Sequence, residues 1–278
     1  MELAPWHPLE GAVTGRHPFL RAATEGDVAA INRLLARGVS PNLARAARSI
    51  SPYLLPEESA LALASGGQRC RNSQHSEPTQ DRQEPCVVAL LNAGASPDPP
   101  GMSVLYGAAW RGHARIINLL LEAGANPRTH NGVGVTPLHV AAVRCPQCVQ
   151  LLLAAGAEVN AEFQHRSSPL TLTETYLTAM DMAIRKGNRD TDRNIHRVFP
   201  LLLRAGATFP RHSWHAVPSH ERRRRFPYLK KVLRAGSFAA YEKEHTDALV
   251  AIFLPKFPHL PAEVVRHIVA LWAHCGFY

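Results

Sequence analysis

Apolar residues recur along this chain in short leucine-rich runs, and each run is followed by a glycine three residues after its last apolar position. Six copies are present, and they end at Gly38, Gly94, Gly124, Gly156, Gly206 and Gly236. A leucine-rich run of this kind predicts a helix that faces a core, and the glycine supplies the left-handed residue that ends the helix. Several copies lie about 30 residues apart, which predicts a solenoid of stacked units.

A second pattern precedes the leucine-rich runs. Its fullest copy reads Thr-Pro-Leu-His-Val-Ala-Ala over residues 136–142. Thr136 is a suitable helix cap, and Pro137 suits the first helical position, where no N–H is needed. The two small alanines allow a neighbouring helix to approach closely. Each unit is therefore predicted to contain two helices.

These residues resemble ankyrin repeats, whose pattern is a Thr-Pro-Leu-His-x-Ala-Ala helix, a Gly-His turn, a leucine-rich helix and a Gly-Ala finger. The third copy keeps Gly112 and His113 in its turn, and the sixth matches only in its second helix. The resemblance covers residues 17–238. It implies an all-α fold, an ankyrin-type α-solenoid of six stacked helix pairs with hairpin fingers. It also implies that His113 and His139 hydrogen-bond to backbone groups and fix the turns, rather than acting in catalysis.

Three regions fall outside this regular pattern. Residues 1–16 are an N-terminal extension, and residues 239–278 form C-terminal helices. Residues 66–85 are polar and predict a loop inserted between the two helices of the second repeat. A further insertion is expected around residues 165–175, before the fifth repeat.

The C-terminal region predicts two more helices. Apolar positions at helical spacing follow Tyr241, prolines at 255 and 258 end this helix, and a second helix starts near Pro261. One interpretation is a cap over the open end of the solenoid. The other is a ubiquitin-ligase adaptor, because the Leu-Pro-x-Glu opening resembles an F-box. The candidate adaptor residues are Leu260, Pro261, Glu263, Val264, Ile268 and Trp272.

Charge and cysteine content add to this picture. The formal net charge is +9, and Arg222, Arg223, Arg224 and Arg225 form its densest run. This run is typical of a nuclear or nucleic-acid contact, of a site for an acidic protein partner, or of a solvated surface. The five cysteines are too sparse for a disulfide framework and favour an intracellular protein, cytoplasmic or nuclear. No apolar run is long enough to predict a membrane span.

Candidate chemistry is limited to one cysteine pair. Cys145 and Cys148 have CxxC spacing, but a structural zinc site needs four ligands. Alignment on the leucine run places Cys148 in an apolar slot and Cys145 in the turn between helices. No catalytic motif is present, so we expect no enzyme activity, no cofactor and no metal site.

The sequence therefore predicts a protein–protein interaction scaffold that binds its partner through the finger tips and a concave face formed by the first helices. The adaptor role and the basic nuclear factor remain as alternatives, with nucleic acid the less favoured partner. The partner's identity, the role of residues 66–85 and the oligomeric state stay open. The candidate finger residues are Asn126, Arg128, His130, Asn131, Glu158 and Asn160.

Overall fold

The structure, a computed structural model, describes residues 17–46, 57–66, 80–99, 104–131, 134–166, 174–189, 197–209 and 226–274. The helices in these ranges are α1 (Pro18–Glu25), α2 (Val28–Ala36), α3 (Ala60–Ala64), α4 (Gln80–Asn92), α5 (Val104–Arg111), α6 (Ala114–Glu122), α7 (Pro137–Arg144), α8 (Pro146–Ala154), α9 (Ala179–Arg189), α10 (Val198–Arg204), α11 (Pro227–Arg234), α12 (Phe238–Phe253) and α13 (Ala262–His274). The strands are β1 (Ala44–Ala46), β2 (Glu57–Ser59), β3 (Phe163–Arg166) and β4 (Glu174–Leu177).

The first ten helices form five antiparallel pairs that stack side by side. The first helices of the pairs, α1, α3, α5, α7 and α9, contact one another in chain order. The second helices, α2, α4, α6, α8 and α10, do the same in a parallel row. Each helix thus contacts the other helix of its pair and the neighbouring helices of its row. This arrangement is the solenoid that the sequence predicts.

A continuous apolar core runs through this stack from Phe19 to Tyr241. The leucine four residues before each repeat glycine is completely buried at Leu90, Leu120, Leu152 and Leu202. Most other leucines of the runs are partly buried because the helix turns them away from the seam, while Leu203 is buried at 7% exposure. The leucine four residues before the glycine is therefore the one that seals neighbouring units together.

The repeat glycines end the second helices as predicted. Gly124 has φ +90°, in the left-handed region. Its N–H bonds to the Leu121 carbonyl at 3.0 Å, and the Ala125 N–H bonds to the Leu120 carbonyl at 2.9 Å. These two bonds satisfy carbonyls that the end of α6 would otherwise leave unpaired.

The described residues are mostly helical, as predicted, and the fingers contain two short antiparallel strand pairs. β1 pairs with β2, with Ala44 opposite Ser59. β3 pairs with β4, with Phe163 opposite Leu177, and these two side chains are buried while Gln164 and Tyr176 are exposed. Strands of three or four residues carry too little alternation to be recognised, and their pairing depends on the neighbouring unit.

The predicted loop over residues 66–85 is too long. α4 begins at Gln80, so residues 80–85 are helical and include Pro85. The early positions of α4 are polar because most of them face solvent; Gln83 is the buried exception. A helix whose first turns bury so little has no apolar periodicity to reveal it. Residues 67–79 lie outside the described residues.

The two predicted C-terminal helices are present as α12 and α13. Ser237 caps α12 by accepting a hydrogen bond from the Ala240 N–H at 3.1 Å, and Tyr241 joins the main core. α13 packs on the distal part of α12, where Val250, Val265 and Val269 form a separate cluster. The start of α12 therefore continues the solenoid, whereas α13 rests on α12.

Within the described ranges, no helix is both long enough and apolar enough to cross a lipid bilayer.

Candidate protein-binding surface

A ladder of hydrogen bonds ties each finger to the next. Its side chains stand four residues after a repeat glycine, at Asn42, Asp98, Arg128 and Asn160. The Asn42 Nδ2 donates to the Gly94 carbonyl at 3.4 Å, and the Arg128 Nε donates to the Gly156 carbonyl at 3.0 Å. The Asp98 carboxylate accepts from the Asn126 N–H. The repeat glycines therefore stand in a row along one edge of the stack.

Asn160 makes the fullest set of these contacts. Its Nδ2 donates to the Gly206 carbonyl at 3.0 Å. Its Oδ1 accepts from the Thr208 N–H at 2.8 Å and from the Thr208 hydroxyl at 3.2 Å. A side chain that the sequence nominates for partner binding thus already holds the fourth finger to the fifth.

The remaining candidate finger residues divide by exposure. Asn131 is 3% exposed, and its Oδ1 accepts from the Val135 N–H at 2.9 Å, which shapes the finger turn. Asn126 is exposed, and its Oδ1 accepts from the Arg128 N–H at 3.0 Å. His130 and Glu158 are also exposed, although the His130 Nδ1 lies 2.9 Å from the Asn131 carbonyl. The side chains of His130 and Glu158 face solvent at the finger tips.

His139 anchors the long β3–β4 finger to α7. Its Nδ1 accepts from the Thr136 N–H at 3.1 Å, which leaves the proton on Nε2. Nε2 lies 3.2 Å from the Leu177 carbonyl, to which it donates. Burial lowers the pKa of His139 to about 4, so the imidazole is neutral at physiological pH. The backbone-bonding role implied for His139 is confirmed, whereas His113 makes no side-chain cap bond at the start of α6 and its Nδ1 is buried without a hydrogen-bond partner among the described residues.

The first helices present an exposed aromatic residue that sequence reasoning missed. Trp110, at the end of α5, is 38% exposed. The Tyr106 ring stacks beside it, with ring centroids 6.4 Å apart. The guanidinium carbon of Arg144, from α7, lies 4.7 Å from the Trp110 ring centroid. This cation–π contact crosses from the third repeat to the fourth.

Further basic side chains lie near the Trp110–Arg144 contact, along the row of first helices. Arg111 and Arg144 end α5 and α7, and Arg185 and Lys186 occupy the equivalent part of α9. The Arg111 Nε also donates to the Gly66 carbonyl of the preceding repeat at 3.4 Å. We call Tyr106, Trp110, Arg111, Arg144, Arg185 and Lys186 the first-helix ridge. The signal in the sequence is a basic residue three positions after Ala108, Ala141 and Ala183 in successive repeats.

The candidate adaptor residues lie at the start of α13 and just before it. Leu260, Val264 and Ile268 are 38%, 41% and 50% exposed. Pro261 and Glu263 are exposed as well. Trp272 belongs to α13, but its side chain is outside the described residues. α13 buries Val265 and Val269 and turns Val264 and Ile268 outward.

The basic run at residues 222–225 falls outside the described residues, so the structure supplies no geometry for it. The described part of the chain places positive charge instead on the first-helix ridge.

Stacked helix pairs with regular fingers and an exposed ridge define a protein-binding α-solenoid. Residues 79–163 match the family model described as "Ankyrin repeats (3 copies)". Cyclin-dependent kinase inhibitor 2A of Homo sapiens is 35% identical over 127 residues, which cover 45% of this chain and 70% of that protein. The chain belongs to the ankyrin-repeat family.

Two other relatives share only a segment with this chain. The nuclear factor NF-kappa-B p105 subunit of Rattus norvegicus is 42% identical over 90 residues, 30% of this chain and 9% of that protein. Ankyrin repeat and SOCS box protein 16 of Homo sapiens is 36% identical over 89 residues, 31% of this chain and 20% of that protein. The chain thus spans a small fraction of the length of both relatives.

Proposed function

We propose that this protein is an interaction scaffold that binds an acidic segment of a partner protein along the first-helix ridge. The observation that carries the proposal is the exposed Trp110 ring with Arg144 stacked on it across two repeats. The role is one of binding, with no catalytic step. Five helix pairs are described, and α11 is followed by Gly236 at φ +81°, as the second helices are followed by their repeat glycines; we therefore propose six repeats over residues 17–238.

The residue types on the ridge support a binding role. Tryptophan, tyrosine and arginine dominate the energetic centres of protein interfaces, because each buries a large, rigid surface and retains a polar group. An exposed Trp ring costs solvation free energy in the free protein, and a partner that covers it recovers that cost. Arg144 holds the ring in place, so little ordering is needed on binding.

The charge of the ridge indicates the chemistry of the partner. Four basic residues lie at corresponding ends of three neighbouring helices, and the chain carries a formal net charge of +9. Such a row attracts an acidic partner and disfavours a basic one. We propose that His130 and Glu158 at the finger tips add specificity, while Asn126, Arg128, Asn131 and Asn160 hold the fingers in register.

We place this function inside the cell. The cysteines that the structure describes, Cys86, Cys145 and Cys148, are free thiols, which suits a reducing compartment.

The test compares a variant of the first-helix ridge with a charge reversal on the exposed face of α2. A partner captured from cell lysate by the intact chain is purified, and its affinity is measured for the chain carrying Trp110→Ala with Arg144→Glu. Arg33→Glu, on the exposed face of α2, is the matched control. We expect the ridge variant to lose at least about tenfold in affinity and the control to keep its affinity. Unchanged affinity in the ridge variant, with an unaltered melting curve, would refute the proposal.

A second candidate function is recruitment of a ubiquitin-ligase subunit by α13, while the repeats hold a substrate. The specific observation is the outward apolar row of Leu260, Val264 and Ile268, which the fold leaves uncovered in the described residues. The name of one relative combines ankyrin repeats with a SOCS box.

The adaptor role is tested by pulldown with Val264→Asp and Ile268→Asp together, beside the intact chain and a chain lacking residues 255–278. Recovery of a ligase subunit by the intact chain, and its loss from both altered chains, would support the adaptor. Absence of any ligase subunit from the pulldown with the intact chain would refute the adaptor role. Retention of the ridge partner by all three chains would separate the two functions.

A further inference from the structure

Two cysteines meet on the first turn of α8. Cys145 stands between α7 and α8 and acts as the N-cap of α8, with Cys148 in the first turn. The Cys148 N–H donates to the Cys145 sulfur at 3.3 Å. Cys148 is completely buried, as its predicted apolar slot requires, whereas Cys145 is partly exposed.

The surroundings give the two thiols different acidities. The pKa of Cys145 is lowered to about 6, chiefly by a hydrogen bond from the Cys148 thiol and further by the N–H groups of Cys148 and Gln147, against the opposing effect of burial. The pKa of Cys148 is raised because its thiol donates that bond and is buried. At neutral pH the pair therefore holds an exposed thiolate beside a buried thiol.

The spacing of the two cysteines permits closure into a disulfide. Gly112 lies beside Cys145, where a Cβ built on the glycine would stand 3.5 Å from the Cys145 Cβ, an ordinary van der Waals distance. Residues three apart on a helix have Cβ atoms about 5–6 Å apart. A disulfide needs about 3.8 Å, so a small shift of the N-cap residue closes the gap.

Cys86 provides the internal contrast. It is completely buried, and burial with the nearby Asp27 charge raises its pKa to about 11. It has neither an acidic thiol nor access to solvent, so it is expected to be inert.

We propose that Cys145 and Cys148 form a reversible disulfide when a peroxide oxidises Cys145. The Cys145 thiolate attacks one peroxide oxygen, the O–O bond breaks, and a sulfenic acid and hydroxide form. The Cys148 sulfur then attacks the Cys145 sulfur, the S–O bond breaks, and the Cys148 proton leaves with the departing hydroxide as water. The two sulfurs lose two electrons in total, and hydrogen peroxide is reduced to one hydroxide and one water; the hydroxide takes up the proton that Cys145 released when it ionised. A dithiol reductant reverses the bond by exchange.

Mass spectrometry of the full chain tests this directly. No lysine or arginine lies between residues 145 and 165, so trypsin releases both cysteines in the single peptide 145–166. The reduced chain is treated with hydrogen peroxide, alkylated and digested. We expect the peptide to lose two hydrogen masses and to escape alkylation, and dithiothreitol to restore alkylation at both sites.

Variants separate the two roles. Cys145→Ser should abolish the bridge, and Cys148→Ser, which keeps a hydrogen-bond donor beside Cys145, should stop the reaction at a sulfenic acid on Cys145 that dimedone labels. Cys86→Ser should bridge like the unaltered chain. The proposal is overturned if the unaltered chain keeps both thiols alkylatable under peroxide, or if its oxidised form is a disulfide between two chains on a non-reducing gel. These readings use the unaltered chain, so they hold even if a variant fails to fold.

Discussion

At the scale of single residues, Gly124 shows how one backbone angle ends a helix. Its φ is +90°, and nothing lies within 4 Å of the position where a side chain would begin. Any cost of substitution therefore comes from the backbone and not from a steric clash with a neighbour.

Gly124→Val should lower the free energy of unfolding by roughly 1–2 kcal/mol, because a β-branched residue strongly disfavours the left-handed region. Gly124→Asn should cost less, since asparagine adopts that region more readily. Urea denaturation followed by circular dichroism measures both. Equal midpoints for all three chains would mean that residue 124 is not left-handed in solution.

Asn160 illustrates how a polar side chain sets the register between repeats. Asn160→Ala removes three hydrogen bonds to the next finger and should cost roughly 1–2 kcal/mol of stability, since these bonds are partly solvated. Midpoints from urea denaturation measure the loss, and an unchanged midpoint for Asn160→Ala would contradict the ladder.

At the scale of elements, α7 and the β3–β4 finger are joined through one imidazole. His139 caps α7 through Thr136 and reaches the carbonyl of Leu177 in β4. The Phe163 ring, from β3, stands edge-on to it with ring centroids 4.9 Å apart. Burial in this environment disfavours the charged imidazolium, and it therefore lowers the pKa of His139.

His139 should make stability depend on pH. The folded pKa is about 4 and the ordinary value is 6.5, so between these values the unfolded chain binds more protons. The contribution of His139 to the free energy of unfolding is therefore fully present above about pH 6.5. The free energy of unfolding falls by up to roughly 3 kcal/mol as the pH drops toward 4. Unfolding free energies measured from pH 7 to 4.5 should fall less steeply for His139→Gln. Parallel curves for the two chains would show that His139 titrates normally.

At the scale of the whole molecule, stability is shared between neighbours, as in any linear stack. Leu152 is completely buried in α8, and α8 contacts α6 on one side and α10 on the other. A defect at Leu152 should therefore loosen three repeats and not one.

Leu152→Ala should cost about 2–5 kcal/mol, the usual range for a buried leucine. Leu233→Ala, at a position 41% exposed in α11, should cost far less. Hydrogen exchange of the first variant should show lost protection in α6, α8 and α10 together. Loss confined to α8 would argue against coupling between the units.

The sequence by itself determined the repeated unit, because the signals involved are local. The leucine seam, the glycine that ends each second helix and the threonine cap of α7 each depend on residues a few positions apart. The two C-terminal helices followed from apolar spacing and prolines in the same way. The interpretation of the chain as a protein-binding repeat needed no contact between distant residues.

Only the tertiary structure decided which polar residues hold the fold and which remain for a partner. Asn160 looks like a free finger residue in the sequence, and its role in the ladder appears only when Gly206 and Thr208 are beside it. Trp110 and Arg144 are 34 positions apart in the chain, so their contact exists only once α5 and α7 are stacked. Likewise, packing on α12 decided which apolar face of α13 is buried. In each case the deciding partner lies on another repeat or helix, and no local pattern can encode that proximity.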